Sequence, residues 1–337
     1  MSQKRLFSAI MLTIVWLLFV VLLSGCGATD ENAHGATNGA IEQNSESHQT
    51  EEATPSQPAE EISAVELPEI DIPTAPGTAV AGNDQAVVDF SNMQDGYIMA
   101  KYIEDTDMQI RMLITVPDGI TYTYTLIPGR DFEVFPLSGG DGTYEIGVYK
   151  QAEDGRYSTV LTTTIDVELV DEFAPFLRPN QFVNFDRYSD VVRKAAELTY
   201  GLEADDFMGR VEAIYQFVVS NIEYDIELAE TVQTGYIPDV DEVLRRGKGI
   251  CFDYAALMTA MLRSQGVPTK LVIGYTGELY HAWISVYSAE SGWIDGAIFF
   301  DGHDWQLVDP TVAASVSSTS LMDFIGDGTN YTAKFFH

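Results

Sequence analysis

The sequence predicts an α+β fold preceded by a small all-β sandwich, set behind an apolar leader and an acidic tether. Three observations carry this reading. Short runs of β-branched and aromatic residues, separated by turn signals, fill residues 84–170. From residue 188 onward helical periodicity comes first and strand-like segments follow. Residues 27–80 are rich in Glu, Ser, Thr, Asn, Ala and Pro, hold few large apolar residues, and contain no Lys or Arg.

The leader opens the chain. Lys4 and Arg5 precede an apolar run from Leu6 to Leu23, which ends in Leu23-Ser24-Gly25-Cys26. A charged start, an apolar core and small residues before a cut site read as a secretory signal over residues 1–25. The ending resembles the lipobox of bacterial lipoproteins. That resemblance implies that Cys26 is lipidated and anchors the protein to the bacterial cell membrane on its extracytoplasmic side. An uncleaved N-terminal anchor is the alternative. Residues 26–83 are then expected to be a disordered acidic linker, because such a composition buries too little surface to offset its ordering entropy. The formal charge of −33 argues against nucleic acid and against an anionic lipid surface as partners.

Strand signals take over from about residue 84. Gly96–Tyr102, Met108–Val116, Thr121–Leu126 and Thr143–Tyr149 are the clearest runs, and Tyr122, Tyr124 and Leu126 alternate with Thr121, Thr123 and Thr125. Pro117-Asp118-Gly119, Gly139-Gly140-Asp141-Gly142 and Asp154-Gly155 mark turns. Residues 84–170 therefore predict an immunoglobulin-like sandwich. It carries no ionisable cluster, so a spacer or recognition module is expected rather than a second active site.

Residues 171–185, with Pro175 and Pro179, read as an entry into the last domain, residues 171–337. Helices are expected over Tyr188–Tyr200, over Asp205–Ile222 with Asp205 or Asp206 as cap, and from Pro238 to Arg246. A further helix starts at Cys251 and stops at Gly266, with Pro268 beyond. Strands are expected over Thr269–Tyr275, His281–Tyr287, Trp293–Phe300 and Asp304–Val308.

The candidate site lies in this last domain. Cys251 is one of two cysteines, and if Cys26 carries lipid it has no intramolecular partner. It also shares a helical stripe with Ala255, Met258 and Leu262, the pattern of an inert core thiol. His281 and Asp309 change that reading, since a thiol at a helix start, an imidazole on a strand and a carboxylate on a later strand form a nucleophile, base and orienter set. A free thiol titrates near pH ~8.5, and a helix N-terminus favours an anion by only about 0.3–2 kcal/mol. An imidazolium neighbour is needed to populate the thiolate fully at neutral pH. Of the five histidines, His34 and His48 fall in the tether, His303 in a turn, and His337 at the end of the sequence. Only His281 belongs to a strand of the last domain.

The fragments Gly249-Ile250-Cys251-Phe252-Asp253-Tyr254-Ala255, Gly266-Val267-Pro268 with Gly274-Tyr275, His281-Ala282-Trp283, and Trp305 with Val308-Asp309-Pro310-Thr311 together resemble the transglutaminase-like superfamily, a branch of the papain-like enzymes. The resemblance covers roughly residues 205–312. It implies a Cys251, His281 and Asp309 triad that forms a thioester on a glutamine carboxamide or on a peptide or amide substrate. The alternatives are a cysteine peptidase or amidase acting only by hydrolysis on cell-envelope peptides, and a catalytically idle binding module. The backbone N–H of Cys251 would serve the oxyanion, and Tyr236 is a candidate for the side-chain donor. Asp253 and Tyr254 are expected to brace the helix start, while Trp283 and Trp305 either wall the site or pack the core. Neither a cofactor nor a metal is expected, and the partner is a protein or peptide substrate at the cell envelope.

Overall fold

Alternation at period two builds the first half of the fold, in a computed structural model that describes residues 65–203, 205–295, 298–300, 305–307 and 331–337. Strands β1 (Val80–Gly82), β2 (Ala86–Asp89), β3 (Tyr97–Tyr102), β4 (Ile110–Thr115), β5 (Thr121–Leu126), β6 (Glu133–Pro136), β7 (Gly142–Gln151) and β8 (Tyr157–Val167) form two antiparallel sheets. Their orders are β1-β2-β3-β6 and β5-β4-β7-β8. In β4, Ile110, Met112 and Ile114 point inward while Arg111 and Leu113 stay partly exposed on the outer face. Tyr122, Tyr124 and Leu126 of β5 join the same core, as their spacing requires.

The sandwich begins earlier than composition suggests. Residues 65–83, expected to end the tether, belong to the folded unit. The Thr74 N–H donates to Tyr97 Oη (3.1 Å) and the Gly77 N–H to Asp89 Oδ2 (2.7 Å). Asp71 pairs with Arg178, Ile70 packs on the helical core, and β1 adds antiparallel to β2. A windowed composition hides a few apolar and pairing residues within an acidic, proline-containing stretch, and those few are enough to dock it.

The helical half follows the expected order with one addition. Helix α1 spans Asp190–Leu198 and α2 spans Phe207–Asn221, capped by Asp206, whose Oδ1 accepts the Gly209 N–H at 2.8 Å. Next come β9 (Glu223–Tyr224) and a short helix, α3 (Ile226–Thr231), in a stretch without a clear apolar stripe. Helix α4 (Val240–Arg246) is capped by Asp239 and ends on Gly247, at φ 67° in the left-handed region. Strand β10 (Lys248–Gly249) leads directly into α5 (Cys251–Ser264). From Asp253 to Ser264 every residue of α5 is buried, so α5 is the axis of the domain.

An antiparallel sheet covers α5. Its strands are β11 (Thr269–Thr276), β12 (Leu279–Ser288), β13 (Gly292–Asp295) and β16 (Tyr331–Phe336), in the order β13-β12-β11-β16. The run Trp293–Phe300, expected as one strand, is two. Strand β13 pairs with β12, whereas β14 (Ile298–Phe300) pairs with β15 (Trp305–Leu307). Strand β16 was not anticipated, because Thr332 and Lys334 interrupt its apolar pattern. It pairs with β11 through a register shift at Ile273/Gly274.

Candidate active site

The start of α5 is fixed by backbone ties. Strand β10 pairs with β9 in parallel, Lys248 opposite Glu223 and Gly249 opposite Tyr224, and the Asp225 N–H donates to the Gly249 carbonyl at 2.9 Å. Gly249 is required by close approach, since a Cβ there would stand 2.5 Å from Asp253 Cβ. The N-cap residue, Ile250, offers no side-chain acceptor, so capping comes from inside the helix. Asp253, fully buried, accepts the Ile250 N–H on Oδ2 at 2.9 Å and the Tyr236 O–H on Oδ1 at 2.7 Å. Burial pushes the Asp253 carboxyl upward, and the Tyr236 and Ile250 hydrogen bonds oppose that push only in part.

Tyr236 is thereby reassigned. Its one hydroxyl proton goes to Asp253, and burial followed by that carboxylate raises the phenol well above its ordinary range. The residue braces Asp253 rather than offering a free donor for an oxyanion. Asp253 bracing the helix agrees with the sequence reading. Tyr254 does so as well, donating its hydroxyl to the Ile222 carbonyl.

His281 is the third residue of β12 rather than its first, and stands opposite Gly274 of β11. Gly274 has no room for a side chain, because a Cβ would meet the Thr332 carbonyl oxygen at 2.2 Å and Trp283 at 2.8 Å. The His281 ring stacks on Trp283 at 6.2 Å and tilts against Tyr331 at 6.4 Å. Ala282 and Ile284, on the alternate face, belong to the core that surrounds α5. Trp283 is 3% exposed and edge-on to Tyr331, which places it in packing rather than on an open wall. Asp309, His303, Cys26 and the Trp305 side chain lie outside the described residues.

Cys251 and His281 line one cavity of about 680 Å³. Cys251 is a free thiol, partly exposed, and among the described residues its backbone N–H has no acceptor, as expected of a first helical position. Tyr280, beside His281, lines the same cavity, more than half exposed and edge-on to Tyr275. A thiol, an imidazole and an open main-chain donor around one space can support nucleophilic attack on an acyl carbon. Among the described residues, no group of three or more His, Cys, Asp or Glu side chains is placed to hold a metal ion.

Two contributors were missed in the sequence. Gln109, Arg111 and Thr125 of the sandwich line the same cavity, so the sandwich supplies a wall of it. The alternation of β4 marks Arg111 as outward-facing, but nothing local says that the outer face of that sheet meets Cys251. His337 also lines the cavity, although its place in the sequence suggested no role. Its ring is buried among Tyr122, Tyr124, Phe182 and Phe335, with Nδ1 3.0 Å from Tyr124 Oη. Burial, then Arg263, lowers its pKa to about 3.

The chain is 32% identical over 149 residues to human kyphoscoliosis peptidase, covering 43% of this chain and 22% of that protein. It is 30% identical over 110 residues to the uncharacterized protein YebA of Bacillus subtilis, covering 27% of this chain and 15% of that protein. The chain thus spans less than a quarter of either relative. Among solved structures, red sea bream transglutaminase is similar with a TM-score of 0.28 at 15% identity, over 64% of this chain and 48% of that one. Residues 193–310 match the family model of the transglutaminase-like superfamily, and this transglutaminase-like domain contains both Cys251 and His281.

Proposed function

We propose that the protein is a thiol acyl-transfer enzyme of transglutaminase-like type, acting on a glutamine carboxamide or on a peptide or amide substrate. The observation that carries this is the shared cavity, with Cys251 at the head of a buried helix and His281 on the facing sheet. In this reading His281 takes the Cys251 proton and the sulfur attacks the carbonyl carbon. The new C–S bond and the oxyanion form together, the latter beside the Cys251 N–H. As the C–N bond breaks, His281 returns the proton to the leaving amine, which leaves a thioester. A second amine, or water, then attacks the thioester and releases Cys251. Asp309 would accept the remaining ring N–H of His281 and hold its tautomer.

The test supplies a glutamine peptide together with a fluorescent primary amine and follows both ammonia and label. Ammonia with label incorporation, lost in Cys251→Ala, supports acyl transfer. Ammonia or peptide cleavage without label points to hydrolysis alone. Neither product, at any pH between 6 and 9, would remove the enzymatic reading.

The same proposal puts the enzyme outside the cytoplasm, anchored by lipid on Cys26. Its support is the Leu23-Ser24-Gly25-Cys26 ending behind an apolar leader. Cells expressing Cys26→Ala should lose signal processing and membrane retention. Unchanged fractionation would favour an uncleaved anchor.

A further inference from the structure

The cavity that holds Cys251 is nearly uncharged, with one exception. Arg111 is the only Lys, Arg, Asp or Glu among the described residues that line it. The chain has 51 acidic and 18 basic residues, and nine of the sixteen described cations find a carboxylate. Arg178, Arg187, Arg193, Arg245 and Arg246, for example, each lie within 4 Å of one. Arg111 has no such partner among the described residues. Its guanidinium instead sits over the Tyr157 ring, 4.3 Å from the centroid.

Stacking of this kind holds the guanidinium plane in place while leaving its edge N–H donors available. The position is also built rather than accidental. Arg111 is the second residue of β4, a strand paired on both sides, with β5 and β7, so its backbone is held in the sheet. A fixed guanidinium edge in this cavity, with no counter-ion and no carboxylate among the described lining residues, is complementary to a carboxylate.

We infer that Arg111 forms an anion subsite and that the preferred acyl donor is a peptide carrying a carboxylate beside the carboxamide delivered to Cys251. This rests on the acyl-transfer reading for the carboxamide and adds the charge of its neighbour. The sandwich then acts in substrate selection, because among the described residues it contributes the one Lys, Arg, Asp or Glu of the cavity lining.

Protection of Cys251 from iodoacetamide reads binding without needing turnover. The probes are N-acetyl-Glu-Gln-Gly-amide and N-acetyl-Gln-Glu-Gly-amide, with N-acetyl-Gln-Gln-Gly-amide as the uncharged control. Modification is followed on the Cys251-containing peptide of the full-length protein. At low salt, one of the acidic peptides should protect at a concentration about tenfold or more below that of the control, the factor expected of one hydrogen bond to a charged group. Arg111→Gln should erase the difference and Arg111→Lys should keep part of it, with the unprotected alkylation rate serving as a check on the fold. Equal protection by acidic and neutral peptides, including none by either, would overturn the subsite, as would a preference that survives in Arg111→Gln. The two readings separate cleanly. Charge-dependent protection without turnover sinks the acyl-transfer reading alone, and turnover without charge preference sinks the subsite alone.

Discussion

Asp253 makes the start of α5 possible, and its removal should be costly. It satisfies the Ile250 N–H and the Tyr236 hydroxyl from a fully buried position. Each buried donor left without an acceptor costs about 1–3 kcal/mol. Asp253→Ala should therefore lower stability by roughly 2–5 kcal/mol, and the Tm by about 5–15 °C for a protein of this size. Asp253→Asn keeps one acceptor and should lose about half as much. A thermal scan that finds Asp253→Ala unchanged would show that the helix start is held by something else. His337 makes a different prediction, in pH. Its folded-state pKa of about 3 lies below the ordinary histidine value of 6.5. Between those values the unfolded chain binds a proton that the folded one refuses, so His337 lowers stability as pH falls through that window and contributes no slope above it. The slope from one such group is at most about 1.4 kcal/mol per pH unit. His337→Phe keeps the aromatic packing and should flatten the urea midpoint between pH 6.5 and 4.5 relative to the wild type. Parallel midpoint curves for the two proteins would refute a neutral, buried imidazole.

At the scale of elements, the β11–β12–β16 trio sets where His281 can stand. Gly274 lets the β16 backbone approach, and any side chain there meets a carbonyl oxygen. Gly274→Ala should destabilise by about 1–3 kcal/mol through overpacking. It should also slow alkylation-sensitive or catalytic readouts at Cys251 by displacing β16 and the Tyr331 ring that contacts His281. A variant with wild-type Tm and wild-type Cys251 reactivity would show that the sheet absorbs the extra atom. These elements also show which parts of the fold are legible in sequence. Helices α2 and α5 were readable because their apolar faces, the Asp206 cap and the terminal Gly266 are local signals. The period-two run of β5 was readable for the same reason. Strands β1, β6 and β16 were not: β1 has only three residues and lies in an acidic, proline-containing stretch, whereas β6 and β16 are short or polar-interrupted and pair with strands well separated in sequence. Cys251 and His281 were legible as chemistry, because few residue types can do that work. Arg111 and His337 were not, since their meaning comes from where a second sheet happens to dock.

At the scale of the molecule, the sandwich and the helical half share their packing. Phe182 and Phe335 pack against both cores. Gln181 Nε2 donates to the Thr125 carbonyl at 2.7 Å and to Glu133 Oε2 at 2.6 Å, and the Phe336 N–H donates to Tyr122 Oη at 3.2 Å. Residues 65–337 should therefore unfold in one transition seen identically by aromatic fluorescence and by far-ultraviolet circular dichroism. A fragment of residues 171–337 would leave Phe182, Phe335 and His337 without Tyr122 and Tyr124. It should melt well below the longer chain or aggregate. Two separable transitions in the longer chain, or an equally stable fragment, would mean that the halves are energetically independent.

The placement of β16 has a consequence for when the cavity can exist. Its residues pair with β11 and reach back to Tyr122, and His337 just after it reaches Tyr124, more than 200 positions earlier in the sequence. A chain made from its N-terminus forms the sandwich first, then α5 with its thiol, and meets the closing strand only afterward. Contacts so distant in sequence form slowly, because loop closure must precede any gain from them. Nascent and truncated chains would thus carry Cys251 on a helix whose cavity lacks a side. Completion of the fold, rather than synthesis of Cys251, sets the moment at which the cavity is closed.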